Sequence, residues 1–362
     1  MKICFIGPAN SAHIVKWCTW FTQRGHEVHV ISFTPGEIEN THVHLVDTGV
    51  DAAGSDLGKI KYLLSGKKIR RIAESISPDV INVHYATSYG AAAALSGLKN
   101  YALSVWGSDI YEFPGKSALH KALLKYSLRK AGRLFSTSRA MAREAQKYTD
   151  REFDITPFGV DMDLFNPDKR HRSGSSFVFG TVKTLSSLYG IEYILDAAAI
   201  LKSQHPEIEM QVRISGDGPD RGSLQKHAED LGIDDMTVFL GRISQQQAAD
   251  EYANMDVAVI PSVHHESFGV SAVEAQACSI PVIISDVDGL METTVPGESS
   301  IVTPRRDAAS IAKALFDLFA DPEKRKRMGA YGRKYVTEKY ELKQCFEEIE
   351  KLLETIVKTS VR

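Results

Sequence analysis

Short apolar runs that alternate with helical patterns are the feature that most restricts how this chain can fold. Strands covered on both faces of a sheet are expected to be continuous apolar runs of this kind. The first 160 residues contain five of them: MKICFIG (1–7), EVHVISF (27–33), DVINVH (79–84), NYALSVWG (100–107) and RLFSTS (133–138). Helical patterns such as SAHIVKWCTWFTQRG (11–25) lie between the runs. This alternation predicts a doubly wound parallel sheet with right-handed crossovers.

The alternation restarts after a break in composition. Residues 155–176 (ITPFGVDMDLFNPDKRHRSGSS) hold two prolines, two glycines and many charges, which is typical of a linker. A chain of 362 residues is also too long for one ordinary core. We therefore predict a first Rossmann-like domain, a linker, a second Rossmann-like domain and C-terminal helices that pack back on the first domain. Their predicted bounds are 1–160, 161–175, 176–325 and 326–362.

The composition is that of a soluble globular protein, with 43% hydrophobic and 25% charged residues. No apolar run approaches the ~18 residues of a membrane-spanning helix, and the first residues lack the apolar core and cleavage site of a secretory signal. The four cysteines show no CxxC pair and no metal-ligand spacing: Cys4, Cys18, Cys278 and Cys345. We expect buried, reduced thiols in a cytoplasmic protein.

Basic residues are concentrated in the first part of the chain. Residues 1–160 carry 20 Lys and Arg against 14 Asp and Glu, whereas the remainder carries 23 against 32. Two predicted amphipathic helices hold the basic excess, KIKYLLSGKKIRR (59–71) and HKALLKYSLRKAGR (120–133). Such a helix either rests on an anionic surface, here the inner face of the cell membrane, or exposes a solvated face. The acidic remainder offers no stripe for nucleic acid.

The stretch VIPSVHHESFGVSAVEAQACSIPVIISD (259–286) places a carboxylate where a ligand is expected. Glu266 follows the predicted strand VAVIPS (257–262), and ligands of open α/β sheets bind at the carboxyl ends of strands. The next helix is predicted to begin near Ser267 or Phe268, so that its first backbone amides suit a diphosphate. Gly269 would let that ligand approach closely.

A second carboxylate in this stretch, Glu274, is predicted to lie on the inward stripe of the helix, in line with Val270, Val273 and Ala277. A carboxylate on a buried stripe is costly unless a partner hydrogen-bonds to it. A ribose diol is such a partner, because a carboxylate offers two acceptor oxygens. The alternative, a glutamate on a solvated helix edge, stays open.

Several motifs of the chain resemble those of one enzyme family. ESFGVSAVEA (266–275), followed by PVIISDVDGLMETTVPGESSIVTP (281–304), resembles the donor-binding signature of retaining glycosyltransferases of family 4. Other segments resemble the family's further donor motifs and its linker, in the same order: GTVKTLSSLYGIEYILDAAAIL (180–201), ISGDGP (214–219), FLGRIS (239–244) and ITPFGVDMDLFNP (155–167). The resemblance implies the GT-B fold, in which two Rossmann-like doubly wound domains face each other across a cleft.

The resemblance also implies a donor site in the second domain. Glu274 would hold the ribose of a nucleotide sugar, Glu266 would face the transferred sugar, and Lys183 would meet the diphosphate. The backbone amides of four residues would contact sugar and phosphate: Ser267, Phe268, Gly269 and Val270. The base pocket would be shaped by Gly216, Gly218, Arg242 and Ile243.

Two positions of the donor site depart from the family pattern. Tyr189 stands where the family has a second basic residue at the donor. In the GG-x-x-E segment Asp288 replaces the first glycine, whereas Gly289 and Glu292 match. The diphosphate charge would then be balanced by Lys183 and the start of the helix, with Arg242 as a further candidate.

The first domain carries the remaining catalytic candidates. SVWGSDIYEFP (104–114) resembles a loop that often reads H-G-S-D in the family; here Trp106 replaces the histidine and Asp109 remains. His84, which ends the strand DVINVH, is predicted to take over the role of that histidine, with a purely structural histidine as the alternative. Together with Glu266, the predicted catalytic residues are thus Asp109 and His84.

The turn GPANSAH (7–13) follows the first strand, where the family commonly has paired glycines. Asn10 or Ser11 is predicted to cap the next helix. The functional interpretation adds that Asn10, Ser11 and His13 contact the acceptor or the donor sugar. The structural interpretation, a helix cap alone, stays open.

Sugar transfer from a nucleoside diphosphate builds negative charge on the leaving group, and the protein must stabilise that charge and align the acceptor hydroxyl. The resemblance implies retention of the anomeric configuration. Two D-x-D triplets, at 161–163 and 286–288, are not joined by further acidic ligands, so no metal and no other cofactor are expected besides a UDP-sugar co-substrate. The predicted acceptor is a glycan or lipid-linked molecule in bacterial surface polysaccharide or glycolipid synthesis. Alternatives are a nucleotide-sugar 2-epimerase and a non-catalytic sugar-binding protein.

Overall fold

The computed structural model describes residues 1–48, 61–171 and 174–360 and divides into two compact units. The first unit comprises Met1–Phe158 and Gln344–Arg362, and the second comprises Gly159–Lys343. The segment predicted as a linker, 161–175, is thus grouped with the second unit. Two contacts are consistent with this grouping. The buried ring of Phe165 lies 6.5 Å from that of Tyr252, and the guanidinium of Arg170 forms an ion pair of 2.8 Å with Asp256.

The first unit is built on a parallel sheet of seven strands. Their order across the sheet is β3-β2-β1-β4-β5-β6-β7, so that the chain runs outward from β1 in both directions. The five apolar runs identified in the sequence are all strands. The short edge strands β3 and β7 were not predicted. In β3 two histidines interrupt the apolar run (HVHL), and β7 has only two residues. The strands are β1 (Lys2–Ile6), β2 (Glu27–Ser32), β3 (His42–Leu45), β4 (Val80–His84), β5 (Ala102–Val105), β6 (Arg133–Ser136) and β7 (Asp154–Ile155).

Helices connect these strands and cover the sheet. Ser11, one of the two residues predicted to cap the first helix, accepts a hydrogen bond of 3.3 Å from the amide of His13 and forms that cap. The basic segment 120–133 falls mainly on the fifth helix, whereas residues 59 and 60 of the other basic segment lie outside the described residues. The helices are α1 (Ala12–Gln23), α2 (Gly66–Ile76), α3 (Tyr89–Ser96), α4 (Ser108–Tyr111), α5 (Ala118–Lys130) and α6 (Arg139–Ala145).

The second unit repeats the architecture with six parallel strands in the order β10-β9-β8-β11-β12-β13. The predicted fold class, two Rossmann-like doubly wound parallel sheets, is therefore confirmed. The strands are β8 (Phe177–Val182), β9 (Met210–Ser215), β10 (Thr237–Gly241), β11 (Val257–Ile260), β12 (Val282–Ser285) and β13 (Ser300–Thr303). The helices are α7 (Ile191–Gln204), α8 (Arg221–Asp230), α9 (Gln245–Ala253), α10 (Val270–Ala277), α11 (Asp288–Thr293), α12 (Ala308–Ala320) and α13 (Pro322–Tyr340).

The last helix, α14 (Leu342–Ser360), lies almost entirely in the first unit. Its apolar face packs against α1, where the ring of Phe346 meets that of Trp17 at a centroid distance of 5.5 Å. Glu350 is buried beside Arg24 and His26, to which it forms contacts of 3.2 and 2.6 Å. Among the residues that the structure describes, no helix is both long and apolar enough to cross a membrane.

Candidate functional site

Three loops meet at the carboxyl edge of the second sheet. The amide of Gly216, after β9, donates to the carbonyl of Gly241 at the end of β10, at 2.8 Å. A Cβ atom on Gly216 would lie 1.8 Å from the carbonyl oxygen of Lys183, and one on Gly218 would lie 2.2 Å from that of Leu185. No side chain fits at either position. The two predicted base-pocket glycines therefore hold the loop after β9 against the loop after β8.

Lys183 and Glu266 form a buried ion pair at this edge. The ammonium nitrogen lies 2.5 Å from one carboxylate oxygen, and the two side chains are only 13% and 9% exposed. The hydroxyl of Ser262 donates to the same oxygen at 2.9 Å. The ring of Tyr189 lies with its centroid 4.3 Å from the ammonium, where its face attracts a cation. Of these four residues, only Ser262 was missed by the sequence analysis, because a strand-end serine carries no signal of its own.

The helix after Glu266 begins later than predicted. α10 starts at Val270, not near Ser267 or Phe268, because Gly269 has a left-handed backbone (φ 78°). A Cβ at Gly269 would stand 2.9 Å from a methyl group of Leu290, so the glycine is needed for space as well. The side chain of Phe268 is 2% exposed and meets the Tyr340 ring, and a contact to a ligand would therefore come from its backbone.

The first turn of α10 supplies amides without acceptors inside the helix, as every helix does. These are the amides of Val270 and Ser271, since that of Ala272 already donates to the carbonyl of Gly269 at 3.0 Å. The hydroxyl of Ser271 donates to the carbonyl of Val182 at 2.9 Å and ties the helix to the end of β8. The start of α10 is thus fixed beside the loop that carries Lys183.

Glu274 is placed differently from the prediction. α10 is buried on nearly every side, and its two half-buried residues are Val270 and Glu274, one turn apart on the same face. The predicted inward stripe is confirmed for Val273 and Ala277, which are buried, but Val270 and Glu274 lie at its half-buried edge. α9 and α13 pack against the helix. The fully buried polar residue of the helix is Gln276, whose amide donates to two carbonyl groups at 3.0 and 2.8 Å. Burial, followed by the charge of Glu274, raises the pKa of Tyr252 well above its usual range.

The remaining donor residues lie in adjoining loops. Arg242 is exposed and Ile243 is half-buried, directly after Gly241, whose carbonyl accepts from Gly216. In the GG-x-x-E segment a Cβ on Gly289 would lie 2.0 Å from the carbonyl oxygen of Glu266. The matching glycine therefore lets α11 approach the backbone of Glu266.

In the first unit, Asp109 fixes the loops after β4 and β5. Its carboxylate accepts hydrogen bonds from the amides of Ala86 (2.8 Å), Gly107 (2.8 Å) and Trp106 (3.1 Å). The side chain is completely buried, which raises its pKa, while these three hydrogen bonds act in the opposite direction. In the structure Asp109 thus positions backbone, and a catalytic role remains a prediction.

His84 lies inside an aromatic group at the same edge. Its ring is fully buried and meets those of Trp17, Trp106 and Phe5 at centroid distances of 4.9, 5.1 and 5.5 Å. Within the described part of the chain neither ring nitrogen has a hydrogen-bond partner. Burial lowers its pKa to about 3, so the ring is neutral at physiological pH. This placement suits the structural interpretation; the catalytic role of His84 stays a prediction.

The turn after β1 presents the predicted sugar contacts. Asn10 is exposed, and its side-chain oxygen accepts a hydrogen bond of 3.1 Å from the hydroxyl of Thr34. The His13 ring stacks on Phe158 at 3.9 Å and meets Trp106 edge-on at 5.5 Å. Burial is the main cause that lowers the pKa of His13 to about 4. His13 therefore belongs to the same aromatic group as His84, whereas Asn10 lies at the surface.

The two D-x-D triplets use their carboxylates locally. Asp161 accepts from the amides of Asp163 and Leu164 at 3.0 Å, and Asp286 lies 3.2 Å from the guanidinium of Arg305. Across residues 1–48, 61–171 and 174–360, no three His, Cys, Asp or Glu side chains converge as metal ligands would.

Both units match known families. The model of the family described as Glycosyl transferases group 1 matches residues 165–335, and that described as Glycosyl transferase 4-like matches residues 2–138. The chain belongs to the group 1 glycosyltransferases, as the resemblance predicted. It is 31% identical over 291 residues to the D-inositol 3-phosphate glycosyltransferase of Frankia alni, covering 70% of this chain and 69% of that protein.

A protein of the same name from Arthrobacter sp. is 30% identical over 279 residues, which is 69% of this chain. The matches span only 64% of that relative and 52% of the one from Paenarthrobacter aurescens. Among solved structures, sucrose-phosphate synthase from Thermosynechococcus elongatus has a TM-score of 0.84 at 18% identity, over 99% of this chain and 100% of that chain. Anabaena Alr3699/HepE in complex with UDP and glucose has a TM-score of 0.81 at 19% identity, over 98% and 99%. These similarities show the GT-B fold.

Proposed function

We propose that this protein is a retaining, metal-independent glycosyltransferase that moves a sugar from a nucleoside diphosphate sugar to an acceptor hydroxyl. The observation that carries the proposal is the Lys183–Glu266 pair, which lies at the carboxyl edge of the second sheet beside the first turn of α10. A cation, a sugar-facing carboxylate and helix amides are the groups that a sugar diphosphate requires.

In the proposed donor complex, the ammonium of Lys183 and the amides at the start of α10 neutralise the diphosphate. Glu274, half-buried on α10, accepts hydrogen bonds from the ribose diol. The loops held together by Gly216 and Gly218 surround the base, with Arg242 and Ile243 beside them. Glu266 orients hydroxyl groups of the transferred sugar.

In the proposed transfer step, the bond between the anomeric carbon and the phosphate oxygen breaks while a bond to the acceptor oxygen forms on the same face. The proton of the acceptor hydroxyl passes to the leaving phosphate, so no protein nucleophile is needed. Because Lys183 and the helix amides meet the developing charge, the reaction requires no divalent metal. The carboxylates of Asp161 and Asp286 support this view, since both are engaged in local contacts.

A UDP-sugar is the proposed donor, since a solved structure of the same fold holds UDP and glucose. The proposed acceptor is a glycan or lipid-linked hydroxyl compound in bacterial surface polysaccharide or glycolipid synthesis, and Asn10, Ser11 and His13 are its proposed contacts in the first unit. The names of the curated relatives add D-inositol 3-phosphate to the acceptors that should be tried.

Peripheral contact with an anionic membrane is part of the proposal. α3 packs against both α2 and α5, so the basic helices α2 and α5 lie on one side of the first unit. Leu64 and Leu119 are each 77% exposed on this side, and Leu95 is 50% exposed. Apolar side chains among Lys and Arg are typical of a surface that binds the headgroup region.

The test incubates the full chain with UDP- and GDP-sugars, each with and without a panel of glycan, glycolipid and cyclitol phosphate acceptors. NMR then identifies the product and its anomeric configuration. We expect acceptor-dependent release of nucleoside diphosphate, retained configuration and undiminished rate in EDTA. An epimerised nucleotide sugar formed without acceptor would identify a 2-epimerase instead, and tight sugar binding without turnover would identify a binding protein.

A further inference from the structure

An open cavity of about 390 Å³ lies at the amino edge of the second sheet. Asp256 directly precedes β11 and Pro281 directly precedes β12, and both line the cavity. The cavity is therefore separated from Lys183 and Glu266, which follow the opposite ends of the strands. The length of β11 and its flanking residues puts about 15 Å between the two edges. A volume of this size is in the range of pockets that bind small molecules.

Three of the four charged residues that line the cavity are cations. Arg170, Arg325 and Lys326 line it, against the single carboxylate of Asp256. That carboxylate is only 6% exposed, and its partners include the guanidinium of Arg170 at 2.8 Å and the amide of Val178 at 2.9 Å. The cavity thus keeps an excess of positive charge after its one acid is paired.

Two of the cations are held in place from behind. Arg170 also donates to the carbonyl of Met255 at 3.2 Å. Arg325 donates to the carbonyl of Leu318 at 2.7 Å and lies 5.5 Å from the ring centroid of Phe177. Guanidinium groups that are fixed before binding lose less side-chain entropy when an anion arrives.

The third cation and the apolar wall complete the cavity. Lys326 is exposed and, within the described residues, has no ion-pair partner. Ile280 and Pro281 form a rigid apolar wall beside these charges. The combination suits a ligand with a dianionic group at one end and a compact neutral body at the other.

From these contacts we infer that the cavity is a second binding site, for a small phosphate monoester of the size of a hexose phosphate. The phosphate meets Lys326 and the two guanidinium groups, and the neutral body lies on the wall of Ile280 and Pro281. The site is independent of the proposed transferase reaction, because none of its lining residues belongs to the donor site.

The test uses the full chain and glucose 6-phosphate as the probe, with glucose as the uncharged control, in titration calorimetry at fixed ionic strength. Lys326→Ala should raise the dissociation constant for glucose 6-phosphate about fivefold or more. Arg327→Ala is the matched control, because it removes a charge from the next position of α13 outside the cavity lining. Lys183→Ala should leave this affinity unchanged, which separates the cavity from the donor site.

Three outcomes would overturn the inference. Equal weakening by Lys326→Ala and Arg327→Ala would mean general attraction to a basic helix. Loss of binding in Lys183→Ala alone would place the phosphate in the donor site. No saturable binding of glucose 6-phosphate below about 10 mM would leave the cavity without this ligand class.

Discussion

The two members of the Lys183–Glu266 pair should have opposite effects on the binding of UDP. Lys183→Ala removes the cation proposed to meet the diphosphate and should weaken binding. Glu266→Gln removes the carboxylate that holds the same cation, at 2.5 Å, and that would repel the diphosphate. Both consequences of the glutamine favour UDP, so binding should tighten even though sugar transfer is lost.

The magnitudes follow from the burial of the pair, whose side chains are 13% and 9% exposed. A hydrogen bond from an ammonium to a phosphate is worth about 1.5–3 kcal/mol, so Lys183→Ala should raise the dissociation constant of UDP about 10- to 100-fold. Ser262 still reaches residue 266 in Glu266→Gln, at a contact of 2.9 Å in the parent chain. Removal of one competing charge at this distance should tighten UDP about tenfold.

Titration calorimetry of UDP and GDP with the full chain measures both effects. Lys313→Ala serves as control, since Lys313 forms an exposed pair of 2.8 Å with Asp317 in the same unit and its loss removes the same charge. Thermal melts of each variant separate loss of fold from loss of binding. The reasoning is refuted if Lys183→Ala and Glu266→Gln change the affinity in the same direction, or if Lys313→Ala matches Lys183→Ala.

Three further predictions concern the ribose, the glycine loops and pH. Glu274→Ala should weaken UDP about tenfold in calorimetry without affecting inorganic pyrophosphate, because it removes the ribose acceptor only; equal loss for both ligands would contradict this. Gly216→Ala, with its Cβ 1.8 Å from a carbonyl oxygen and φ +132°, should cost about 3 kcal/mol or more, whereas Gly222→Ala, with nothing within 4 Å, should be neutral or stabilising in melts. Burial lowers the pKa of His84 in the folded state to about 3. Because the unfolded chain protonates this ring near pH 6.5, the free energy of unfolding should fall by about 1.4 kcal/mol per pH unit between about pH 6.5 and pH 3. His84→Leu should flatten this acid dependence in denaturant titrations at several pH values, and an unchanged slope would show that the ring is accessible to protons.

Strand–helix alternation was sufficient to predict the fold class because strands buried on both faces leave continuous apolar runs. The edge strand β3 escaped prediction for the same reason. It is paired on one side only, and the exposed His42 and half-buried His44 interrupt its apolar run. The start of α10 was misplaced by a different effect. Gly269 adopts a left-handed backbone, and Leu290 leaves no room for a Cβ atom at this position. Crowding by a residue 21 positions away leaves no local trace in the sequence.

The candidate site was likewise predicted only in part from the sequence. The residue types of Lys183, Glu266 and Glu274 could be singled out from motif spacing, yet their environment could not. Glu274 was expected on a buried stripe with Val273 and Ala277, which are buried, but it lies at the half-buried edge of that stripe. Helical periodicity identifies residues that share a face, and only the packing of neighbouring helices decides which face is covered.

Tyr189 stands at the position where the family pattern has a second basic residue, and its ring contacts the ammonium of Lys183. A second cation at this position would repel Lys183 whenever no diphosphate is bound. The tyrosine instead places the face of its ring 4.3 Å from the ammonium, and Glu266 holds the same ammonium from the carboxylate side. The charge of Lys183 is therefore compensated by Glu266 and the ring of Tyr189, which two cations beside one carboxylate would not be. In the proposed donor complex the diphosphate would share Lys183 with Glu266, so more of its charge would fall on the amides of α10 and the ion pair would set how tightly UDP binds.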